Sequence, residues 1–405
     1  MPHAQHPVSA RVSSARVGSG RQEGPEVRYP RAESVGTVPV REVEDRTTWA
    51  RLLASPEPLH ALRLQGLDLT RDRELLLGRD DLGDIVVLGG DLDQEVEDHL
   101  RRHGAIIFPT DPRAPVDPYR ARLYTPQELY AGIEEDGYAA TVDARAYRWF
   151  EDATVRHDAY VTALRAVHDD AMSDALAGLL EGRRVVGVMG GHALRRGTED
   201  FAAAALLGHR IAGSGALVVT GGGPGAMEAA NLGAWAPDEE VLAAALEEVA
   251  TVPDFAPDIA GWVRPALRTR ASTHGPRRLR SVGIPTWYYG HEPPNAFAQL
   301  VAKFFSNALR EDLLLAHARH GLVVLPGAAG TVQEVFQMAT RLYYEVEAGG
   351  PGTPPTPLVL VGREHWTSHL PVWQLLQALG RDRPMARSLH LVDTVDEAAD
   401  VVTPG

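Results

Sequence analysis

From about Val155 onward, short apolar runs alternate with longer segments of helical pattern. The runs are rich in Val, Ile and Leu without polar alternation, as in strands buried on both faces of a parallel sheet. This alternation predicts βαβ units and a doubly wound, Rossmann-like α/β domain. The expected strands are Val185–Met189, Leu217–Thr220, Ser281–Pro285, Leu322–Leu325, Pro357–Val361 and Leu389–Val392, and the expected helices are Glu199–Ile211, Pro224–Trp235, Val241–Val249, Ala296–Arg319, Val332–Val346 and Leu370–Leu379.

Three regions are expected along the chain. Residues 1–45 are dominated by polar and turn residues without a sustained apolar period, which predicts a flexible N-terminal arm. Residues 46–150 mix short strands, such as Ile85–Leu88 and Ala105–Phe108, with helices, and predict a smaller α/β or α+β accessory domain whose role the sequence does not indicate. Residues 151–405 form the Rossmann-like domain, in which ligands are expected at the carboxyl ends of the strands.

The composition excludes several classes of site. The chain has no cysteine, so disulfides, thiolate metal sites and cysteine nucleophiles are ruled out. A formal net charge of −14 argues against a surface that follows a nucleic-acid polymer. No apolar run is long enough to span a bilayer and no secretory signal is recognisable, so we expect no membrane contact and a cytoplasmic location. A phosphate group would have to bind at a local site.

The first candidate phosphate loop follows the strand that ends at Thr220 and opens a helix. Its glycines allow backbone N–H groups to approach an anion, and a helix amino end favours negative charge. A dinucleotide fingerprint also fits, but Glu239 and Glu240 begin a helix and are poorly placed to read a ribose. A tight turn without a ligand is the plain alternative. The candidate nucleotide contacts are Gly221, Gly222, Gly223, Gly225 and Glu228, with Gly190 and Gly191 after the preceding strand.

The second candidate loop, 326–334, again joins an apolar strand to a helix. Thr331 is expected near the helix N-cap, with Glu334 one turn later. The spacing Thr-x-x-Glu is also that of a capping box, in which the two residues satisfy each other's backbone donors, and the pattern alone leaves both interpretations open. The candidate phosphate contacts are Gly327, Ala328, Gly330 and Thr331.

The predicted helix Ala296–Arg319 carries a polar row between these loops. Lys303, Asn307 and Arg310 stand at i, i+4 and i+7, opposite an apolar face. Such a row can face an anion, so Lys303 and Asn307 are candidate nucleotide contacts. A solvated helix face is the alternative.

Aromatic residues precede this helix, at the end of the strand Ser281–Pro285. Aromatic rings can stack on a base, and His or Glu side chains can hydrogen-bond to it. A hydrophobic plug or a dimer contact would use the same rings. The possible base contacts are Trp287, Tyr288, His291 and Glu292.

Taken together, these motifs resemble the Lonely Guy (LOG) family of nucleotide phosphoribohydrolases, a Rossmann-like family also described as possible lysine decarboxylases. The family pattern Pro-Gly-Gly-x-Gly-Thr-x-x-Glu is met at 326–334, except that Ala328 replaces its second glycine. The family arginine matches Arg310, although Glu311 stands where a lysine usually follows. The resemblance covers about Val185–Val361, and the region before it looks like that of a larger bacterial subgroup of nucleotide 5′-monophosphate nucleosidases.

The resemblance implies that Arg310 and Glu334 are catalytic residues that hydrolyse a nucleoside 5′-monophosphate to a free base and ribose 5-phosphate. It implies no cofactor and no metal, and a homo-oligomer. A carboxylate near the sugar suits the oxocarbenium character of glycosidic cleavage, and a guanidinium can orient it or hold phosphate. The alternative is a non-catalytic nucleotide or molybdenum-cofactor carrier. A pyridoxal-dependent decarboxylase is disfavoured because Lys303, the sole lysine, is expected in mid-helix.

Overall fold

The computed structural model describes residues 41–273, 275–288, 292–345 and 355–404, and these residues contain two parallel sheets. In the smaller sheet four strands pair in chain order around a core of their own, which includes Trp49. The Trp49 indole donates to Asp72 at 2.8 Å, so even this small core pairs its buried polar atoms. The elements are β1 (Arg41–Val43), α1 (Arg46–Ala54), β2 (Leu62–Gln65), α2 (Arg73–Leu77), β3 (Val86–Leu88), α3 (Gln94–Arg102) and β4 (Ile106–Phe108).

The larger sheet has seven parallel strands, and helices cover both of its faces. Its strands are β5 (Val185–Met189), β6 (Leu217–Thr220), β7 (Ser281–Gly283), β8 (Leu300–Val301), β9 (Leu322–Val324), β10 (Leu358–Val361) and β11 (Leu389–Val392). The helices are α4 (Pro126–Leu129), α5 (Ile133–Asp136), α6 (Val142–Glu151), α7 (Ala159–Leu180), α8 (Glu199–Gly213), α9 (Ala226–Trp235), α10 (Glu239–Ala250), α11 (Ile259–Ser272), α12 (Asn307–His317), α13 (Ala329–Glu345), α14 (Val372–Gly380) and α15 (Val395–Val402).

The strand order is β11-β10-β9-β5-β6-β7-β8. The chain starts in the middle at β5, builds outward to β8, and then returns to add β9, β10 and β11 on the other side. The order therefore reverses between β5 and β9, and the loops after these two strands diverge and leave a crevice. The doubly wound, Rossmann-like fold class is confirmed. No helix among the described residues combines the length and apolarity needed to cross a bilayer.

The region before β5 is divided between the two cores. The strands β1 to β4 pack around the smaller core, whereas Val116, Tyr124, Leu129 and Ala146 pack into the core of the seven-stranded sheet. Arg41–Val43, which the sequence assigned to the arm, pairs with β2 as β1. Residues 1–40 of the expected arm lie outside the described residues.

The predicted helix Ala296–Arg319 is wrong in its first half, since the helix begins only at Asn307. The preceding segment is non-helical, contains β8 at the edge of the sheet, and is held by one neighbouring and one distant side chain. The Asn295 side chain accepts from the N–H groups of Phe297 and Ala298, and Asp169 accepts from those of Phe305 and Ser306. The local hydrogen bonds of Asn295 and the tertiary ones of Asp169 replace the helical ones that the apolar spacing predicted.

Candidate functional site

A cavity of about 580 Å³ opens in the crevice between β5 and β9, at the carboxyl ends of the strands. Ligands of doubly wound proteins bind at this position of the fold. The wall is formed by the loops after β5, β6, β7 and β9, by the first turns of α12 and α13, and by His365 after β10. Of the predicted site residues, it contains Gly190, Gly191, Gly221, Gly223, Glu292, Arg310, Gly327, Ala328, Gly330, Thr331 and Glu334.

The two residues predicted to be catalytic meet in this cavity. Arg310 comes from α12 and Glu334 from α13, and Arg310 Nη1 lies 3.4 Å from Glu334 Oε1. Their side chains are only 9% and 15% exposed, so neither belongs to a solvated helix face. Helix α13 begins at Ala329, two residues before Thr331, so Thr331 is not the N-cap that a capping box requires. The geometry therefore favours a cavity role for Glu334 over the capping interpretation.

The environment of Glu334 opposes its ionisation. Burial raises the pKa of the Glu334 carboxyl from 4.5 to about 7. The Arg310 guanidinium acts in the opposite direction, while the nearby Glu311 carboxylate raises the pKa further. A carboxyl that titrates near neutrality can exchange a proton at physiological pH, which is the property of a general acid or base.

Glu311, which departs from the family lysine, is buried on the cavity wall and held by amides. Its carboxylate accepts from Asn307 Nδ2 and Gln333 Nε2, both at 2.8 Å, and from Gln337 Nε2 at 3.1 Å. The negative charge is thereby solvated by neutral donors, while Arg310 points to Glu334. Asn307, predicted to bind the nucleotide, contacts Glu311 and does not line the cavity.

The loop after β9 is open to the cavity. Residues 328–330 are exposed, and the first N–H groups of α13 have no partner one turn back in the helix. A Cβ atom at Gly327 would collide with the Thr331 hydroxyl, which explains a glycine at that position. His365 Nε2 lies 3.1 Å from the Gly327 carbonyl oxygen and fixes the loop from the β10 side. This helix end has the features of an anion site.

The loop after β6 is closed by its neighbours, although Gly221 and Gly223 reach the cavity wall. The Gly222 N–H donates to Thr220 Oγ1, and Asn295 donates to the carbonyl oxygens of Gly222 and Gly223. The first N–H of α9 donates to the Gly191 carbonyl at 3.2 Å. These backbone groups are therefore already satisfied without a ligand.

Three predicted nucleotide contacts of this region have structural partners instead and do not line the cavity. Gly222 and Gly225 adopt φ values of +73°, which explains why glycine stands there. Glu228 is fully buried and binds Arg196 through both carboxylate oxygens, at 2.5 and 2.9 Å. The Arg196 guanidinium also stacks 4.3 Å from the Trp262 ring centre, which completes an internal ion pair.

The predicted place of Lys303 on a polar helix face is wrong. Lys303 precedes α12, is 2% exposed, and its Nζ lies 2.5 Å from Asp143 Oδ1 of α6. A charge buried this deeply needs a partner of opposite sign, and Asp143 supplies it. Lys303 is thus a contact between α6 and the segment before α12, away from the cavity wall.

The four residues predicted as possible base contacts differ in where they lie relative to the cavity. Trp287 is buried, stacks on Phe305 with a centroid distance of 4.5 Å, and donates to Asp143, as the hydrophobic plug interpretation predicted. Tyr288 is exposed and does not line the cavity. His291 lies outside the described residues. Glu292 is on the cavity wall, with Oε1 lying 3.1 Å from His192 Nδ1.

Sequence reasoning missed several residues of the cavity wall. His192 and His365 follow strands, where a polar residue can be expected at the ligand edge, but neither belongs to a glycine motif. Gln333 lies inside the second motif at a position that the pattern leaves open. The remaining unpredicted residues are Met189, Ala193, Leu194, Met227, Pro285, Thr286, Glu311 and Pro326.

The fold and the cavity define a Rossmann-like protein with a cavity at the switch of strand order. A family model described as "Possible lysine decarboxylase" matches residues 266–403, and the SLOG cluster4 family matches residues 183–240. Both matches relate this part of the chain to the LOG-like family of possible lysine decarboxylases. This similarity supports a nucleotide-related function.

Among solved structures, the chain is similar to the molybdenum cofactor binding protein from the phototrophic bacterium Rippkaea orientalis. The two are 16% identical over 55% of this chain and 96% of that one, with a TM-score of 0.33. The molybdenum cofactor carrier protein from Chlamydomonas reinhardtii is 17% identical over 54% of this chain and 96% of that one, also with a TM-score of 0.33. No curated protein matches the chain.

Proposed function

We propose that the protein hydrolyses the N-glycosidic bond of a nucleoside 5′-monophosphate, releasing the free base and ribose 5-phosphate. The observation that carries this proposal is the Arg310–Glu334 pair, which lies in the cavity one turn behind the exposed amino end of α13. A non-catalytic carrier has no use for a carboxyl that titrates near neutrality beside the sugar of its ligand.

The exposed end of α13 is the proposed phosphate site. Its unpaired N–H groups and the positive end of the helix dipole favour a dianion, and the Thr331 hydroxyl can add a donor. Ala328 replaces the family glycine without backbone strain, since its φ is not positive. With the phosphate at residues 327–331, the ribose extends toward Glu334 and Arg310.

At the sugar, bond cleavage places positive charge on C1′ and the ring oxygen. The ionised Glu334 can stabilise this charge or take a proton from the attacking water, and its raised pKa suits proton transfer. Arg310 holds Glu334 from behind and has further guanidinium donors for phosphate or ribose oxygens. No cofactor is needed for this hydrolysis.

The test is to incubate the protein with the common nucleoside 5′-monophosphates and their nucleosides, and to separate free base from nucleotide by chromatography. We expect base and ribose 5-phosphate from at least one monophosphate, and much slower release from its nucleoside because the α13 site is then empty. Saturable nucleotide binding without base release would contradict the proposal and favour the carrier alternative. Equal rates with the nucleoside would contradict the phosphate site alone.

A further inference from the structure

A second pair of titratable side chains lines the cavity on a wall that Arg310 and Glu334 do not form. His192 belongs to the loop after β5 and Glu292 to the loop after β7, and His192 Nδ1 lies 3.1 Å from Glu292 Oε1. The pair bridges the closed loop after β6, where Glu292 Oε2 lies beside Gly223. These side chains join the two loops at the ligand edge of the sheet.

His192 and Glu292 differ in exposure, and the more exposed side chain, His192, is the one that can contact a ligand. The His192 side chain is 52% exposed and faces the cavity, whereas Glu292 is only 19% exposed behind it. A carboxylate that holds Nδ1 fixes the orientation of an imidazole. The Nε2 atom is then the ring nitrogen that can meet a ligand.

The backbone under His192 is held firmly. The Gly191 carbonyl accepts from the first N–H of α9, and the His192 carbonyl packs against Gly225 so closely that a Cβ there would approach it to 2.7 Å. The closed loop after β6 therefore supports the position of His192. Precise placement of an acid or base is a requirement of proton transfer in an active site.

We propose that His192, oriented by Glu292, is the general acid that protonates the leaving base. This inference rests on the proposed nucleosidase function and assigns the second proton transfer of that reaction. As the bond between C1′ and the base nitrogen breaks, its electron pair goes to the base, and the His192 Nε2 proton goes to a base nitrogen. Water forms the new bond to C1′ and gives its proton to Glu334. Proton transfer from Glu334 to His192 through solvent restores both groups.

Protonation of the leaving base has a characteristic effect on the rate of this reaction. A purine or pyrimidine leaves poorly as an anion, so protonation by a placed acid typically contributes about 10²- to 10⁴-fold in rate. A base that already carries a positive charge leaves as a neutral molecule and needs no proton. The role of His192 therefore predicts a dependence on the leaving group that Glu334, on the water side, does not share.

The experiment compares guanosine 5′-monophosphate with 7-methylguanosine 5′-monophosphate, which differ by a methyl group and one positive charge on the base. For His192→Gln and Glu292→Gln we expect a loss of about 100-fold or more in kcat with the first substrate and less than about threefold with the second. Glu334→Gln is the matched control and should lose activity on both. Melting temperatures verify that each variant is folded.

A second measurement does not depend on the methylated substrate. Added imidazole should restore activity to His192→Ala with any monophosphate that the wild type cleaves, and should not restore activity to Glu334→Ala. Equal losses on both guanine nucleotides, or an absence of imidazole rescue where the methylated nucleotide is not cleaved, would overturn the assignment. If the wild type releases no base from any nucleotide, it is the proposed function that fails.

Discussion

The two glycine-rich loops of this chain have similar sequences, but one is buried and the other is exposed. Both join a buried strand to a helix at the ligand edge of the same sheet, one after β6 and one after β9. In the loop 221–225 the residues are buried, the Gly222 N–H donates to Thr220, and the Gly222 and Gly223 carbonyls accept from Asn295. In the loop 327–330 the last three residues are exposed and lead into an open helix end.

The difference shows that a glycine pattern has two separate causes. Glycines after β6 are needed because the chain turns at positive φ and other backbone passes within contact distance. After β9, a Cβ at Gly327 would meet the Thr331 hydroxyl, whereas Gly330 lies in open space at a helix end that has the features of an anion site. A phosphate-binding pattern in a sequence therefore identifies a strand-to-helix turn first, and a ligand site only when the N–H groups lack internal partners.

The largest effect is expected at Glu334, which lies in the cavity just after the open loop. Glu334→Gln keeps the shape of the side chain and removes its charge, so kcat should fall roughly 100- to 1000-fold with nucleotide binding retained. Steady-state kinetics and equilibrium binding of the substrate measure the two quantities. Asp312→Asn on the exposed side of α12 is the matched control and should retain activity. Activity surviving in Glu334→Gln would remove the catalytic assignment.

The next effect compares the two loops directly by the same substitution. Gly225→Ala places a methyl group 2.5 Å from the Gly191 carbonyl oxygen at a φ of +73°, and should lower the free energy of unfolding by about 3 kcal/mol. Gly330→Ala meets no atom within 4 Å, and should change it by less than about 1 kcal/mol while raising KM. Chemical denaturation and kinetics provide both readouts. Equal destabilisation at the two positions would contradict the comparison.

A smaller effect is expected from pH. Because the folded pKa of Glu334, about 7, exceeds the ordinary value of 4.5, folding favours the protonated form. The stability from this group is present below pH 4.5 and is lost as the pH rises through about 7. Between pH 5 and pH 8 the wild type should therefore lose about 2 to 3 kcal/mol relative to Glu334→Gln. Denaturation of both proteins across this range measures the difference, and parallel curves would contradict it.

The smallest effect concerns the cation behind Glu334. Arg310→Lys keeps the charge but loses the planar group that reaches Glu334 and the loop after β6, so kcat/KM should fall about tenfold or more. Arg319→Lys, an exposed position beyond α12, is the matched control and should behave as the wild type. Near-normal activity in Arg310→Lys would show that charge alone is needed there.

Much of the fold could be predicted because burial leaves a direct signature in the sequence. The strands Val185–Met189, Leu217–Thr220 and Leu389–Val392 occur at the predicted residues, since apolar runs buried on both faces have few alternatives. The segment before Asn307 could not be predicted in this way. Its apolar residues are buried on all sides, Asn295 closes a local turn at its start, and the hydrogen bonds at its end come from the distant Asp169.

The site residues that belong to sequence motifs could be predicted. Those that meet only because separate loops come together in the fold could not. Arg310 and Glu334 were named from their motif and lie together in the cavity, although their catalytic role stays a prediction. No motif marks His192, because its partner Glu292 is 100 positions later and meets it only in the folded sheet. The same reason applies to Gln333 and Gln337, which reach Glu311 from α13.

The buried contact between Lys303 and Asp143 provides a chemical probe of local unfolding. Amine-reactive reagents modify an uncharged, accessible amino group, and the sole lysine side chain is 2% exposed against a carboxylate. A peptide that contains Lys303 should therefore resist acylation in the folded protein and gain one label when α6 separates from the segment before α12. Mass spectrometry of that peptide during a temperature ramp would follow this one separation, free from the background of surface lysines that obscures such labelling in most proteins.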